Sequence, residues 1–159
     1  MATGEEIPLT QEGYEGLQKE LDHLKRVERP KVIEEIAEAR SHGDLSENAE
    51  YHAARERQGF IEARIADLDD KLSRAKVVQY GDQEPDIVRF GAFVTVSEEE
   101  SGDEKTFRIV GDLEADIKRN MISLSSPIAR ALLGKRVDDL VEVTAPKGKI
   151  EYLVTEIRY

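Results

Sequence analysis

Two runs of apolar residues, spaced alternately by three and four, constrain this chain most. Tyr51, Ala54, Gln58, Ile61, Ile65, Leu68, Leu72 and Ala75 form one run, a coiled-coil seam with one polar layer at Gln58. Tyr14, Leu17, Leu21 and Leu24 form the other. Matched as Tyr14 with Ala75, Leu17 with Leu72, Leu21 with Leu68 and Leu24 with Ile65, the residue numbers of every pair add to 89. A constant total is what two antiparallel helices joined by a turn require. Its midpoint falls between Asp44 and Leu45, so the charged segment Gly43-Asp44-Leu45-Ser46-Glu47 is predicted to be the tip of a helical hairpin.

Pro8 keeps the entry extended and Thr10 reads as an N-cap, so the first helix is expected to start at Thr10 or Gln11. It is expected to run to about His42, where Gly43 supplies a left-handed residue. Pro30 lies inside that span, removing one backbone hydrogen bond and predicting a kink or short break. At about 100° per residue, Val32, Ile33 and Ile36 lie roughly 60 to 160° round from Leu17, Leu21 and Leu24, so the apolar face is expected to be re-aimed after the proline. About 30 helical residues at about 1.5 Å each make an arm of roughly 45 Å, long enough for its tip to reach beyond a small second domain.

From Val77 the apolar period changes to two. Val94 and Val96, Phe107 and Ile109, Val141 and Val143, then Ile150, Tyr152 and Val154 mark four short strands of a small antiparallel β-sheet. Ser126-Pro127 followed by Ile128 to Leu133 and Gly134 has the N-cap, first-turn proline and terminal glycine of a short helix expected to cover one sheet face. The chain is therefore read as α+β in two domains, a coiled-coil hairpin over 1–78 with its acidic tip at 43–47 and a β domain over 79–159, with Gly81 and Pro85 punctuating the join.

Composition excludes several classes. The formal charge of -11 is shared, with 18 acidic and 12 basic residues up to residue 80 and 16 and 11 beyond it, so neither half is built to hold nucleic acid by phosphate neutralisation alone. No cysteine is present, which removes disulfides, thiolate metal sites and cysteine nucleophiles and fits an intracellular, cytoplasmic setting. No apolar run is long enough for a membrane span or a signal segment. A monomer is expected.

The tip admits two readings. Asp44 and Glu47, three apart at the start of the second helix, suit a capping box, or Ser46 caps while Glu47 and Glu50 favour the helix dipole. Alternatively the two carboxylates are half of a magnesium site, the remaining positions being filled by waters, phosphate oxygens and another macromolecule. His42 and His52 bracket the carboxylates, but a solvated histidine is the ordinary reading and His23 is too far down the arm to complete a zinc site. Arg40, Arg55 and Arg57 could contact phosphates or simply balance Glu38, Glu50 and Glu56. No phosphate-binding glycine loop or nucleophile elbow is present.

The sequence resembles the Gre family of bacterial transcript-cleavage factors. The resemblance is carried by Ile36 to Glu56 (IAEARSHGDLSENAEYHAARE), Phe107 to Asp112 (FRIVGD) and Ile122 to Lys135 (ISLSSPIARALLGK), and it extends over almost the whole chain. It implies that the hairpin enters the secondary channel of RNA polymerase while a C-terminal domain similar to FK506-binding proteins docks on the rim. It implies that Asp44 and Glu47 help the polymerase hold a second Mg2+ and activate water, so that backtracked RNA is cut. It places RNA contacts on Arg40 and Arg55, and polymerase docking around Ser125, Ser126 and Pro127. Ser46 stands where some relatives have lysine, which points to the less basic of the family's two branches. The function expected is stimulation of the polymerase's own cleavage activity, not a self-contained enzyme. The alternatives are a channel-blocking inhibitor of the same architecture, against which the intact Asp44-Leu45-Ser46-Glu47-Asn48 motif argues, and prolyl isomerisation, for which aromatic residues are too few.

Overall fold

A computed structural model describes residues 4–44, 47–79 and 86–159. Leu45 and Ser46 of the tip, and Gly81 and Pro85 of the join, lie outside the described residues. Two compact units are present: Met1–Glu6 with Tyr14–Ala75, and Ile7–Gly13 with Lys76–Tyr159. The hairpin bounds expected from the sequence, 1–78, include residues 7–13, which fall in the second unit. These residues pack with the second unit because their backbone and Thr10 find hydrogen-bond partners there, among them Val78, whose N–H donates to the Leu9 carbonyl at 3.0 Å.

The first unit is the expected hairpin. Helix α1 (Gln11–His23) runs into a π-helical stretch, Leu24–Glu28, and then into α2 (Arg29–Arg40), which α3 (Ala49–Ser73) follows. Thr10 caps α1, its hydroxyl accepting from the Gly13 N–H at 3.0 Å. The helix does not break at Pro30: Glu28 and Arg29 keep helical dihedrals, and the Arg29 N–H reaches back five residues to the Leu24 carbonyl. The wider turn also corrects the expected re-aiming of the apolar face. Counted at about 100° per residue from Leu24, Val32 and Ile36 stand about 80° and 120° away; one extra residue in a π turn removes about 100°, bringing both to within about 20°. Accordingly Val32 and Ile36 are buried with Ala54, Ile61 and Ile65, and Leu21, Leu24 and Tyr51 pack on the same cluster. Ile33, left about 80° off by the same reckoning, is 51% exposed. Each buried Val, Leu or Ile stabilises by about 1.5 to 3 kcal/mol.

Paired charges flank this seam. Arg64 holds Glu20 through two bonds of 2.9 Å, and Arg29 holds Glu62 at 2.8 and 2.9 Å. The Arg64 hydrogen bonds keep the Glu20 carboxyl below its ordinary value of 4.5, against the opposing effect of burial. Glu62 is likewise lowered, first by its hydrogen bonds from Arg29.

Strand β1 (Ile7–Leu9) pairs with β2 (Ala75–Val77). A five-stranded sheet of β3 (Phe93–Glu98), β4 (Glu104–Val110), β5 (Met121–Ser123), β6 (Leu140–Ala145) and β7 (Gly148–Arg158) has the order β5-β4-β3-β7-β6. All four expected strands are present and antiparallel, but β5 adds a parallel pairing with β4, so the sheet is mixed. Three residues are too few to show a period. The inward residues Val94, Val96, Ile109, Val141, Val143, Tyr152 and Val154 are buried together, and α4 (Pro127–Leu132) covers that face with Ala129 and Leu132, both fully buried.

Candidate functional site

The tip is assembled by the ends of α2 and α3. After Arg40 the chain turns through Ser41 and His42, whose N–H groups donate to the Glu38 and Ala39 carbonyls at 3.1 Å. It then reverses at Gly43, where φ is +110°, a conformation that a Cβ disfavours. Helix α3 starts only at Ala49, and its cap is Asn48, in place of the Asp44 or Ser46 expected from the sequence. Asn48 Oδ1 accepts from the Tyr51 N–H at 3.0 Å while its Nδ2 donates to the Ala39 carbonyl at 2.6 Å. One amide side chain thus closes the start of α3 and the end of α2 together, which an acceptor-only carboxylate cannot do. Asparagine is among the best caps, so the sequence carries this signal, set beside a more conspicuous acidic pair.

Asp44 and Glu47 consequently precede α3 instead of sharing its first turn, and both are exposed. On the flanking helices, the Arg40 guanidinium lies 5.8 Å from the centre of the Tyr51 ring. Arg55 donates to Gln58 Oε1 at 3.2 Å, and Arg57 is engaged by Glu35. His42 Nδ1 stands 3.3 Å from Glu50 Oε2, pairing locally. Among the described residues, no three His, Asp or Glu side chains converge on one point. Two exposed carboxylates offer the hard oxygen donors that suit Mg2+, with most of its coordination sphere left to water or phosphate; the donor set fits that ion.

The Ser125-Ser126-Pro127 segment lies in the second unit, between β5 and α4. Ser126 caps α4, accepting from the Ala129 N–H at 3.3 Å, with Pro127 at the first helical position. The exposed Ser125 hydroxyl donates to Asp112 Oδ1 at 3.0 Å and lies 2.8 Å from Ser123 Oγ. In the sequence Asp112 stands only as the last residue of the Phe107 to Asp112 motif. Its place beside Ser125 needs the parallel β4 and β5 pairing, which no periodicity announced.

Family comparisons match both halves: residues 7–77 fit the N-terminal model of the transcription elongation factors, and residues 83–159 the GreA/GreB C-terminal model. The transcription elongation factor GreA of Pelobacter propionicus is 58% identical over 153 residues, covering 96% of this chain and 97% of that protein. That of Syntrophotalea carbinolica is 56% identical with the same coverage. The crystal structure of GreA factor homolog 1 of Thermus thermophilus is 33% identical, spans 97% of this chain and 99% of that one, and superposes with a TM-score of 0.43. With a family match on each half and such identity along nearly its whole length, the chain belongs to the GreA/GreB family of transcription elongation factors.

Proposed function

We propose that this protein enters the secondary channel of bacterial RNA polymerase and stimulates the polymerase to cut its own backtracked transcript. The observation that carries the reading is the tip: Asn48 caps α3, and Asp44 and Glu47 stand exposed ahead of that helix. In this reading Asp44 and Glu47 present carboxylate oxygens to a Mg2+ shared with the polymerase active site, while Arg40 and Arg55 face the phosphates of the displaced RNA. When bound there, Mg2+ supplies Lewis-acid charge and lowers the pKa of a coordinated water. The protein's own part is to deliver two negative ligands and orient that water. An exposed pair of carboxylates cannot exclude solvent or hold a phosphodiester, so the polymerase provides the remaining groups and this chain is not an enzyme by itself. Ser125, Ser126 and Pro127 serve as the rim contact, a rigid turn whose proline lowers the ordering cost of binding. A polymerase partner places the protein in the cytoplasm. The test is transcript cleavage by a stalled, backtracked polymerase complex: adding the protein is expected to release short RNA and restore extension. A complex that binds the protein yet is cleaved no faster, or is blocked from extending, refutes this reading in favour of a channel inhibitor.

A further inference from the structure

The turn Gly111-Asp112-Leu113-Glu114, closed by the Glu114 N–H on the Gly111 carbonyl at 3.0 Å, carries two carboxylates that serve different segments. Asp112 Oδ1 accepts from the Ser125 hydroxyl at 3.0 Å and also from the Ser123 hydroxyl. Glu114 accepts from the Thr10 N–H at 3.0 Å, from the Thr10 hydroxyl, and from the Gly111 N–H at 2.9 Å. Thr10 is 1% exposed, the one buried polar side chain among the described residues, and it is the cap from which α1 starts. The approach is close and backbone-limited, since a Cβ at Gly111 would stand 2.1 Å from the Pro8 carbonyl oxygen. The first turn of α1, Gln11–Gly13, belongs to the same unit as this turn, and the helix continues unbroken to His23.

We propose that Asp112 and Glu114 are positioning residues that lock the Ser125 segment and the first turn of α1, all within the second unit, to one four-residue turn. The inference rests on the function proposed above. A Glu114 that only stabilises the fold would lower melting temperature and leave the kinetics of bound protein alone. A Glu114 that positions the root instead lowers the cleavage rate at saturation without weakening binding, because a misplacement of about 1 Å can cost up to roughly 100-fold in rate.

The experiment titrates full-length variants into backtracked polymerase complexes and separates the saturating cleavage rate from the half-saturating concentration. Glu114→Ala is expected to lower the saturating rate roughly tenfold or more, with the half-saturating concentration within about twofold of wild type. Thr10→Val is expected to behave likewise, and Thr10→Ser, which keeps the hydroxyl, to restore the rate. Asp112→Ala and Pro127→Ala are both expected to raise the half-saturating concentration with the saturating rate kept. Amide exchange provides a reading independent of polymerase: Glu114→Ala is expected to unprotect Thr10 and Gly111 while Val94 and Val154 stay protected. If Val94 and Val154 also lose protection, that variant has unfolded and the Thr10→Val and Thr10→Ser pair decides. A wild type that stimulates cleavage while Glu114→Ala and Thr10→Val keep its full saturating rate overturns the inference alone. A wild type that binds without stimulating overturns the proposed function and the positioning role with it.

Discussion

At the tip, Asn48 is the residue that caps α3. Its two hydrogen bonds, to the Tyr51 N–H and the Ala39 carbonyl, hold both helix ends at the tip. Losing a good cap costs about 0.5 to 2 kcal/mol, and here the second bond leaves with it. Asn48→Ala is therefore expected to destabilise the hairpin by about 1 to 2 kcal/mol, measured by urea denaturation followed at the helical circular-dichroism band; an unchanged midpoint would remove Asn48 from the tip's closure. The acidic pair was legible in the sequence as a chemical possibility, but its position was not. Spacing of three suggested a shared helical turn, whereas α3 begins after both residues. Deciding between cap and ligand required knowing which residue takes the cap, and three plausible caps stand within five positions.

At the level of elements, the heptad seam announced the hairpin because burial enforces its period, and Ile61, Ile65 and Leu68 are buried as that period requires. The π stretch left no such trace. Its sequence signs, a proline and an apparent rotation of the apolar face, are shared with a broken helix, and only the Arg29 to Leu24 hydrogen bond separates the two. Inserting one alanine between Arg26 and Val27 should turn Val32 and Ile36 about 100° off the seam, removing two buried side chains worth about 1.5 to 3 kcal/mol each. Deleting Val27 together with Pro30→Ala should let a plain α-helix keep both in place. Thermal melts of the two variants check this; equal stability would contradict the register account. The flanking ion pairs give a pH dependence of definite sign. Glu20 and Glu62 have folded-state values below the ordinary 4.5, so their contribution is present above 4.5 and is lost as pH falls through the lower folded values. The melting temperature is expected to fall on acidification below pH 4.5, and the Glu20→Gln, Glu62→Gln double variant to show a shallower fall over that window. In the sheet, a register shift between Thr95 and Val96 against β7 brings Ile157 opposite Val94 and Val154 opposite Val96. Both are buried although three apart, a spacing that strict alternation cannot predict.

Across the whole molecule, two chemistries are divided between two units: exposed carboxylates on the helical one and a rigid serine-proline turn on the sheet-bearing one. The change of period near Val77 was enough to find both, but not to assign residues 7–13, which precede the first helix and carry no period of their own. We propose that Asp44 and Glu47 act as metal ligands in a composite site; transcript cleavage with Asp44→Asn and Glu47→Gln at subsaturating Mg2+, binding to polymerase being confirmed separately, decides it. Each replacement keeps the side chain's shape but removes a negative oxygen from a hard cation. The predicted result is near-normal folding and binding, cleavage reduced by about two orders of magnitude or more, and partial recovery as Mg2+ is raised. Cleavage at the wild-type rate by both variants would contradict the account.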